Sequence, residues 1–255
     1  MPDWIAGEPR ALSSALGAAC ARYAVAEGNR FDYARFGGSE DFGALAAAAA
    51  GLAGFDCARL GVGKRLPFWL NVYNAAVLRA VIECGSPKSV HGVPWFFSAL
   101  RVRVHGMAFS LDDIEHGLLR GNAPRYGALR KPLESDDPRL ALAPFLFDER
   151  VHFAMHSACR SSPSLRAYGA GDIGDALEAA ARAYVASQVR VEESGARLAV
   201  PKLFQWYAAD FGGEAGVREF VVARLERDED IEAVDRRGGS PAVRYLDFDW
   251  SLNAP

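Results

Sequence analysis

The sequence predicts an α+β fold in a single domain, with helices packed on a small, mostly antiparallel sheet, and three observations lead there. The segment Phe68 to Ile82 is apolar at nearly every position, as a helix buried on all sides would be. Short alternating stretches around Val102, Val151 and Tyr245 carry the two-residue period of strands. No internal repeat and no clean linker divides the 255 residues.

Hydrophobic residues make up 50% of the chain, ample for one contiguous core. The 29 basic and 32 acidic residues leave a net charge of -3, so neither nucleic acid nor an anionic membrane is expected as a partner. The balance favours a small-molecule or peptide substrate, or a protein partner. The start, Met1-Pro2-Asp3-Trp4-Ile5-Ala6-Gly7-Glu8, lacks a basic segment followed by an apolar run. No later apolar stretch reaches membrane-spanning length without a charge or a breaker, and the expectation is a cytoplasmic protein. Cys20, Cys57, Cys84 and Cys159 are too scattered for a zinc site or a redox dithiol, so no metal or other cofactor is expected.

Residues 1–59 read as an alanine-rich helical segment packed on a main domain of residues 60–255. Breaks at Gly28, Gly37, Gly38 and Gly54 delimit two helices, Pro9 to Glu27 and Ser39 to Leu52. A third begins near Pro67, a residue suited to a first helical position, and stops at Cys84 before Gly85-Ser86-Pro87. Val102 and Val104 alternate with Arg101 and Arg103, and His105-Gly106 supplies the turn of a hairpin. Ser110 caps a short helix, Leu111 to Arg120, whose first turn carries Asp112 and Asp113. Gly121 to Glu149, punctuated by Pro124, Pro132, Pro138 and Pro144, reads as a long loop. Val151 to His156 alternates as a strand and ends in the turn Ser161-Ser162-Pro163-Ser164. An amphipathic helix from Asp172 to Val189 precedes a hairpin at Gly195, helices over Lys202 to Ala209 and Glu214 to Glu226, and a last strand from Val243 to Trp250.

Within the apolar third helix, Asn71 and Asn74 are three apart and share a face. Two buried amides must find partners or cost roughly 1–3 kcal/mol each, so they either pin neighbouring backbone or orient a substrate or an imidazole. Glu115 and His116 follow Asp112 and Asp113 by one turn. A carboxylate beside an imidazole raises its pKa and fixes its ring, as a general base requires; the same residues also make an ordinary surface pair. His152 and His156, four apart on the expected strand, would stand roughly 13 Å apart and share no metal ion. Ser157, Cys159, Ser161 and Ser162 crowd the following turn, where Arg160 can lower a thiol pKa, and Cys159 is the cysteine best placed to react. Gly61-Val62-Gly63-Lys64 is no phosphate loop, because Ala58 and Arg65 stand where glycine and Ser or Thr are required.

Five separated motifs resemble a bacterial and plant family, the domain-of-unknown-function family 547, over about residues 60–253. They are Phe68-Trp69-Leu70-Asn71-Val72-Tyr73-Asn74-Ala75, Phe109-Ser110-Leu111-Asp112-Asp113-Ile114-Glu115-His116, Arg150-Val151-His152-Phe153-Ala154, Lys202-Leu203-Phe204-Gln205-Trp206-Tyr207 leading into Asp210-Phe211-Gly212, and Leu246-Asp247-Phe248-Asp249-Trp250-Ser251-Leu252-Asn253. The resemblance names no activity. It implies a partner-associated or thiol-related context, and a general layout like that of the papain and transglutaminase-like cysteine hydrolases. Relatives typically carry cysteines at the positions of Ser157 and Ser162 and a small residue at that of Cys159, which implies serine chemistry or lost activity here if those thiols are catalytic.

Two readings of function follow. One is a hydrolase or acyl-transfer type enzyme, with His152 or His116 as general base, Glu115 as its orienting acid, and Ser157 or Cys159 as nucleophile. In it Asn71, Asn74, Arg120 and Arg150 hold the substrate. The other is a non-catalytic interaction module whose polar residues form a buried network, with every hydrogen bond satisfied and no adjoining cavity.

Overall fold

One long helix, α4 (Val62–Glu83), runs through the centre of the molecule, and fourteen of its residues, from Pro67 to Val81, are buried. The structure is a computed structural model that describes residues 8–25, 29–169 and 171–255. Around α4 pack α1 (Glu8–Tyr23), α2 (Tyr33–Gly37) and α3 (Glu40–Gly51), so that Leu12, Leu16, Phe31, Phe36 and Leu45 share one core with Trp69, Tyr73 and Val77. The expected first helix ends at Tyr23; the last two positions of that expectation, and the start of the chain read for a leader, lie outside the described residues. Helix α4 starts one turn before Pro67, which therefore sits inside it.

A short helix α5 (Phe96–Ala99) leads into the expected hairpin of β1 (Val102–Val104) and β2 (Met107–Phe109). His105 at φ 53° and Gly106 at φ 76° give it the left-handed pair that a two-residue turn needs. Ser110 then caps reciprocally with Asp113: the Asp113 N–H donates to Ser110 Oγ at 3.0 Å, and the Ser110 N–H to Asp113 Oδ2 at 2.9 Å. The helix so started is wider than expected, a π-helical turn over Asp113–Leu119 in which the Arg120 N–H reaches back five residues to the Glu115 carbonyl.

The long proline-rich segment after it is tied down along its length. Asn122 exchanges two hydrogen bonds with Leu133, Trp69 Nε1 donates to the Leu142 carbonyl at 2.8 Å, and Arg65 donates to those of Ala141 and Ala143. The strand expected over Val151 to His156 is absent: Glu149–Phe153 is a 3-10 turn, and residues 151–156 are buried on every side. Val151, Ala154 and Met155 enter the main core, whereas Phe153 joins a second cluster with Tyr184, Phe204 and Phe220.

That second cluster lies between α6 (Ile173–Gln188) and a sheet of three strands. Strands β3 (Arg190–Glu192) and β4 (Arg197–Pro201) form the antiparallel hairpin expected at Gly195. Helices α7 (Lys202–Trp206), α8 (Glu214–Val222) and α9 (Asp228–Arg236) follow, and β5 (Ala242–Leu246) returns parallel to β4. Strand β5 ends before Phe248 and Trp250, shorter than expected, and α9 had no counterpart in the sequence pattern. The chain is thus a single-domain α+β fold with small sheets of two and three strands. Among the described residues no helix is long and apolar enough to cross a membrane.

Candidate active site

Both asparagines of α4 are consumed in holding one segment of chain. Asn74 Nδ2 donates to the carbonyls of Ala154 at 3.0 Å and Arg166 at 3.1 Å, and its Oδ1 accepts from the His156 N–H at 2.9 Å. Asn71 exchanges two bonds of 2.8 Å with the backbone of Tyr168. The irregular stretch 154–168 therefore has five of its backbone polar groups satisfied by one buried helix, and His152 lies just before that stretch.

A cleft of about 400 Å³ opens there, with the connected group Tyr73, Asp112, Glu115, His116, His152 and Tyr207 as its polar part, Trp206, Phe248 and Trp250 as its aromatic end, and Ser157 also in its lining. Three of the expected groups, Glu115, His116 and His152, thus come together around Tyr207, and Ser157 lines the same cleft without a contact to them. The Tyr207 ring stacks on His152 with centroids 3.9 Å apart, while its hydroxyl donates to Glu115 Oε1. Tyr73 donates to the other carboxylate oxygen at 3.0 Å. Burial opposes ionisation of Glu115, but the adjacent His116 imidazole and these two hydroxyls outweigh it and hold the carboxyl below its ordinary range.

The acid that orients His152 is Asp210 rather than Glu115. His152 Nε2 lies 2.8 Å from Asp210 Oδ2, and Arg120 grips the same carboxylate twice, Nε to Oδ2 at 2.6 Å and Nη2 to Oδ1 at 3.0 Å. Burial pushes the Asp210 carboxyl up, yet the bonds from His152 and Arg120 bring it to about 2. An ionised carboxylate only accepts, so His152 Nε2 carries the proton and Nδ1 holds a lone pair. That Nδ1 is buried and has no hydrogen-bond partner among the described residues. Burial lowers the His152 pKa, which keeps the ring neutral.

His116 is fixed in the same tautomer by different means. Arg120 Nη1, which can only donate, meets His116 Nδ1 at 3.0 Å, so the proton sits on Nε2, 3.9 Å from Asp112 Oδ1. Burial again lowers its pKa. With its lone pair occupied, His116 is equipped to donate a hydrogen bond rather than to take a proton. Asp112 is raised to about 6 by its own burial, against the pull of Arg125 at 2.9 Å, and a carboxyl so perturbed in a cleft is a candidate acid.

The remaining expected residues lie elsewhere or are occupied. Arg150 pairs with Asp148 at 2.7 Å and with Glu178 and does not line the cleft. Arg120 is committed to Asp210, His116 and the Pro124 carbonyl. Cys159 is fully buried, its thiol pushed up to about 12 by that burial, and its sulfur lies 3.2 Å from Ser157 Oγ; such a thiol holds no thiolate at neutral pH. His156 is separate from His152, bound through Nδ1 to the Pro163 carbonyl at 2.8 Å and meeting the Tyr33 hydroxyl at 3.1 Å. The histidines of the expected papain-like layout both sit outside strands, His116 on the π-helical turn and His152 on the 3-10 turn. The contacts that Asp210, Tyr207 and Tyr73 make in the cleft escaped the sequence reading. Tyr73 stands in the first of the five motifs, and Tyr207 and Asp210 in the fourth, which is the one signal that pointed at them.

The aromatic end is a stacked wall. Trp206 and Trp250 lie with centroids 5.6 Å apart and planes at 25°, and Phe248 packs against both at 5.0 and 4.7 Å. No curated protein and no solved structure matches the chain. A family model described as "Protein of unknown function, DUF547" matches residues 58–185, just over half of the chain and the part that carries Asn71, Asn74, Glu115, His116 and His152. The chain belongs to the DUF547 family.

Proposed function

We propose that the cleft is the active site of a hydrolase or acyl-transfer type enzyme in which His152 is the general base. The observation that carries this reading is the buried, partnerless Nδ1 of a cleft histidine whose other nitrogen is fixed by an ionised acid. An orphaned buried acceptor is costly, and it is useful where a proton must be received. In the step so assigned, the Ser157 hydroxyl turns from Cys159 Sγ, its oxygen bonds to an acyl carbon, and its proton passes through a bridging water to His152 Nδ1, with which it makes no direct hydrogen bond in the resting cleft. The carbonyl π electrons move onto oxygen, toward the His116 Nε2–H, and collapse to expel the leaving group, which takes the proton from His152. Water then cleaves the acyl-serine by the same route. Asp210 stabilises the imidazolium meanwhile, and the Trp206, Phe248 and Trp250 wall accepts an apolar or aromatic part of the substrate.

The interaction-module reading is favoured by the complete pairing of Asn71 and Asn74, and disfavoured by the unpaired His152 and the adjoining cleft. The two are separated by turnover of a panel of aryl and alkyl esters together with a serine-directed fluorophosphonate probe. Ester cleavage and a covalent adduct on Ser157, both lost in His152→Gln while its thermal midpoint stays near that of the parent, are the expected results. No turnover and no adduct, or unchanged turnover in His152→Gln, overturns the assignment.

A further inference from the structure

A second cavity, of about 320 Å³, is built on the same segment of chain as the first. His152, Met155, Ser157 and Pro163 line the cleft described above, whereas Phe153, Arg160, Ser162, Ser164 and Arg166 line this one. Its opposite wall is one face of α6, where Ala180, Ala183, Tyr184, Ser187 and Gln188 recur at helical spacing. Asn29 and Arg30 complete the lining, with Asn29 Nδ2 donating to the carbonyls of Cys159 and Ser162 and so fixing the rim.

Three arginines, Arg30, Arg160 and Arg166, border this cavity and no Asp or Glu does. None of the three guanidinium groups makes a hydrogen bond or ion pair among the described residues. Single arginines without a carboxylate partner among the described residues occur elsewhere, as at Arg218 and Arg237, whereas here three border one cavity, while Arg22, Arg79, Arg120, Arg139, Arg150 and Arg224 are each matched to a carboxylate. A chain with more acids than bases thus gathers a formal charge of three around one concavity with no acid in its lining, the charge of Asp249 reaching Arg160 from outside it. Like charges repel when brought together, and a bound anion removes that cost. The Ser164 and Gln188 side chains, also without hydrogen bonds among the described residues, add neutral donors.

We propose that this cavity binds a phosphorylated small molecule, with Arg160 and Arg166 as its principal anchors and Arg30 closing over it. Guanidinium forks match phosphate oxygens two at a time, and three of them exceed what one carboxylate can neutralise. The volume is greater than a single phosphate needs and lies at the lower end of small-molecule pockets. The site is independent of the hydrolase assignment, and its ligand is held by residues that the chemical step does not use.

Calorimetric titration and thermal melts with inorganic phosphate, pyrophosphate and citrate, each against sodium chloride of equal ionic strength, test it. Pyrophosphate is expected to bind saturably and to raise the melting temperature, phosphate more weakly, and citrate least. The double variant Arg160→Gln/Arg166→Gln should weaken pyrophosphate at least tenfold, while His152→Gln binds it as the parent does, so that failure in one cavity leaves the other assignment standing. Melting of the double variant without ligand reports whether it is folded, and each single substitution should then give an intermediate loss. No saturable binding of either phosphate, citrate binding as tightly as pyrophosphate, or equal affinity in the double variant overturns the proposal.

Discussion

Replacing Asp210 by Asn keeps the shape of the side chain and removes its charge from beneath two cationic or donating groups. The side chains of Arg120 and Asp210 are only 5% and 10% exposed, so the guanidinium would be left buried without a counter-charge, with one neutral amide oxygen, the Pro124 carbonyl and His116 Nδ1 as its acceptors. Breaking a buried pair from one side costs about 3–5 kcal/mol. A second route to the magnitude uses the carboxyl itself, lowered from 3.8 to about 2, which corresponds to about 2 kcal/mol of stabilisation. We therefore expect Asp210→Asn to lose about 3 kcal/mol, a fall of about 1 M in the urea midpoint for a slope near 3 kcal/mol/M. Because the folded-state pKa is depressed, the unfolded chain binds the proton first as the pH falls. The contribution is complete above about pH 4 and disappears toward about pH 2. Urea melts followed by circular dichroism across that range should show the parent converging on the variant. The double variant Arg120→Met/Asp210→Leu should recover much of the loss. A variant within about 0.5 kcal/mol of the parent at pH 7, or one with the parent's full acid sensitivity between pH 4 and 2, would refute the reasoning.

Asn74→Ala deprives three buried backbone groups of partners and Asn71→Ala two, so losses of about 3–5 and about 2–3 kcal/mol are expected in chemical denaturation. Both falling below about 1 kcal/mol would contradict their role in pinning residues 154–168. With a thiol-reactive disulfide reagent at pH 8, Cys84 should label in the native protein, and Cys57 and Cys159 only after unfolding. Burial pushes the last two up to about 11 and about 12, and rapid native labelling of Cys159, located by mass spectrometry, would contradict its placement.

The elements legible in the sequence are those whose signal is local. Helix α4 declares itself by apolar residues on every face, the β1–β2 hairpin by His105-Gly106, and the π-helical turn by its Ser110 cap. The segment 151–156 misleads because six residues with alternating apolar side chains fit a strand and a fully buried turn equally well. Here Val151 and Phe153 enter two different clusters instead of one face of a sheet. Helix α9 is strongly acidic and offers few apolar residues; what secures it is the hairpin turn at Gly195, where even a Cβ would meet the Ala233 carbonyl oxygen at 2.0 Å.

For the site, the sequence by itself determined which polar residues had to be explained: Asn71 and Asn74 because they lie in an apolar helix where each needs a partner, and Glu115, His116 and His152 because they stand in the family's motifs. It did not determine the partners. Asp210 stands 58 residues from His152, and only tertiary folding sets it, rather than Glu115, against Nε2. Likewise Cys159, which the sequence places best to react, is buried where the chain bridges to Leu252, while Cys84 at the end of α4 is exposed. Burial and tautomer are properties of what packs around a residue, and the chain brings those neighbours from far along its length.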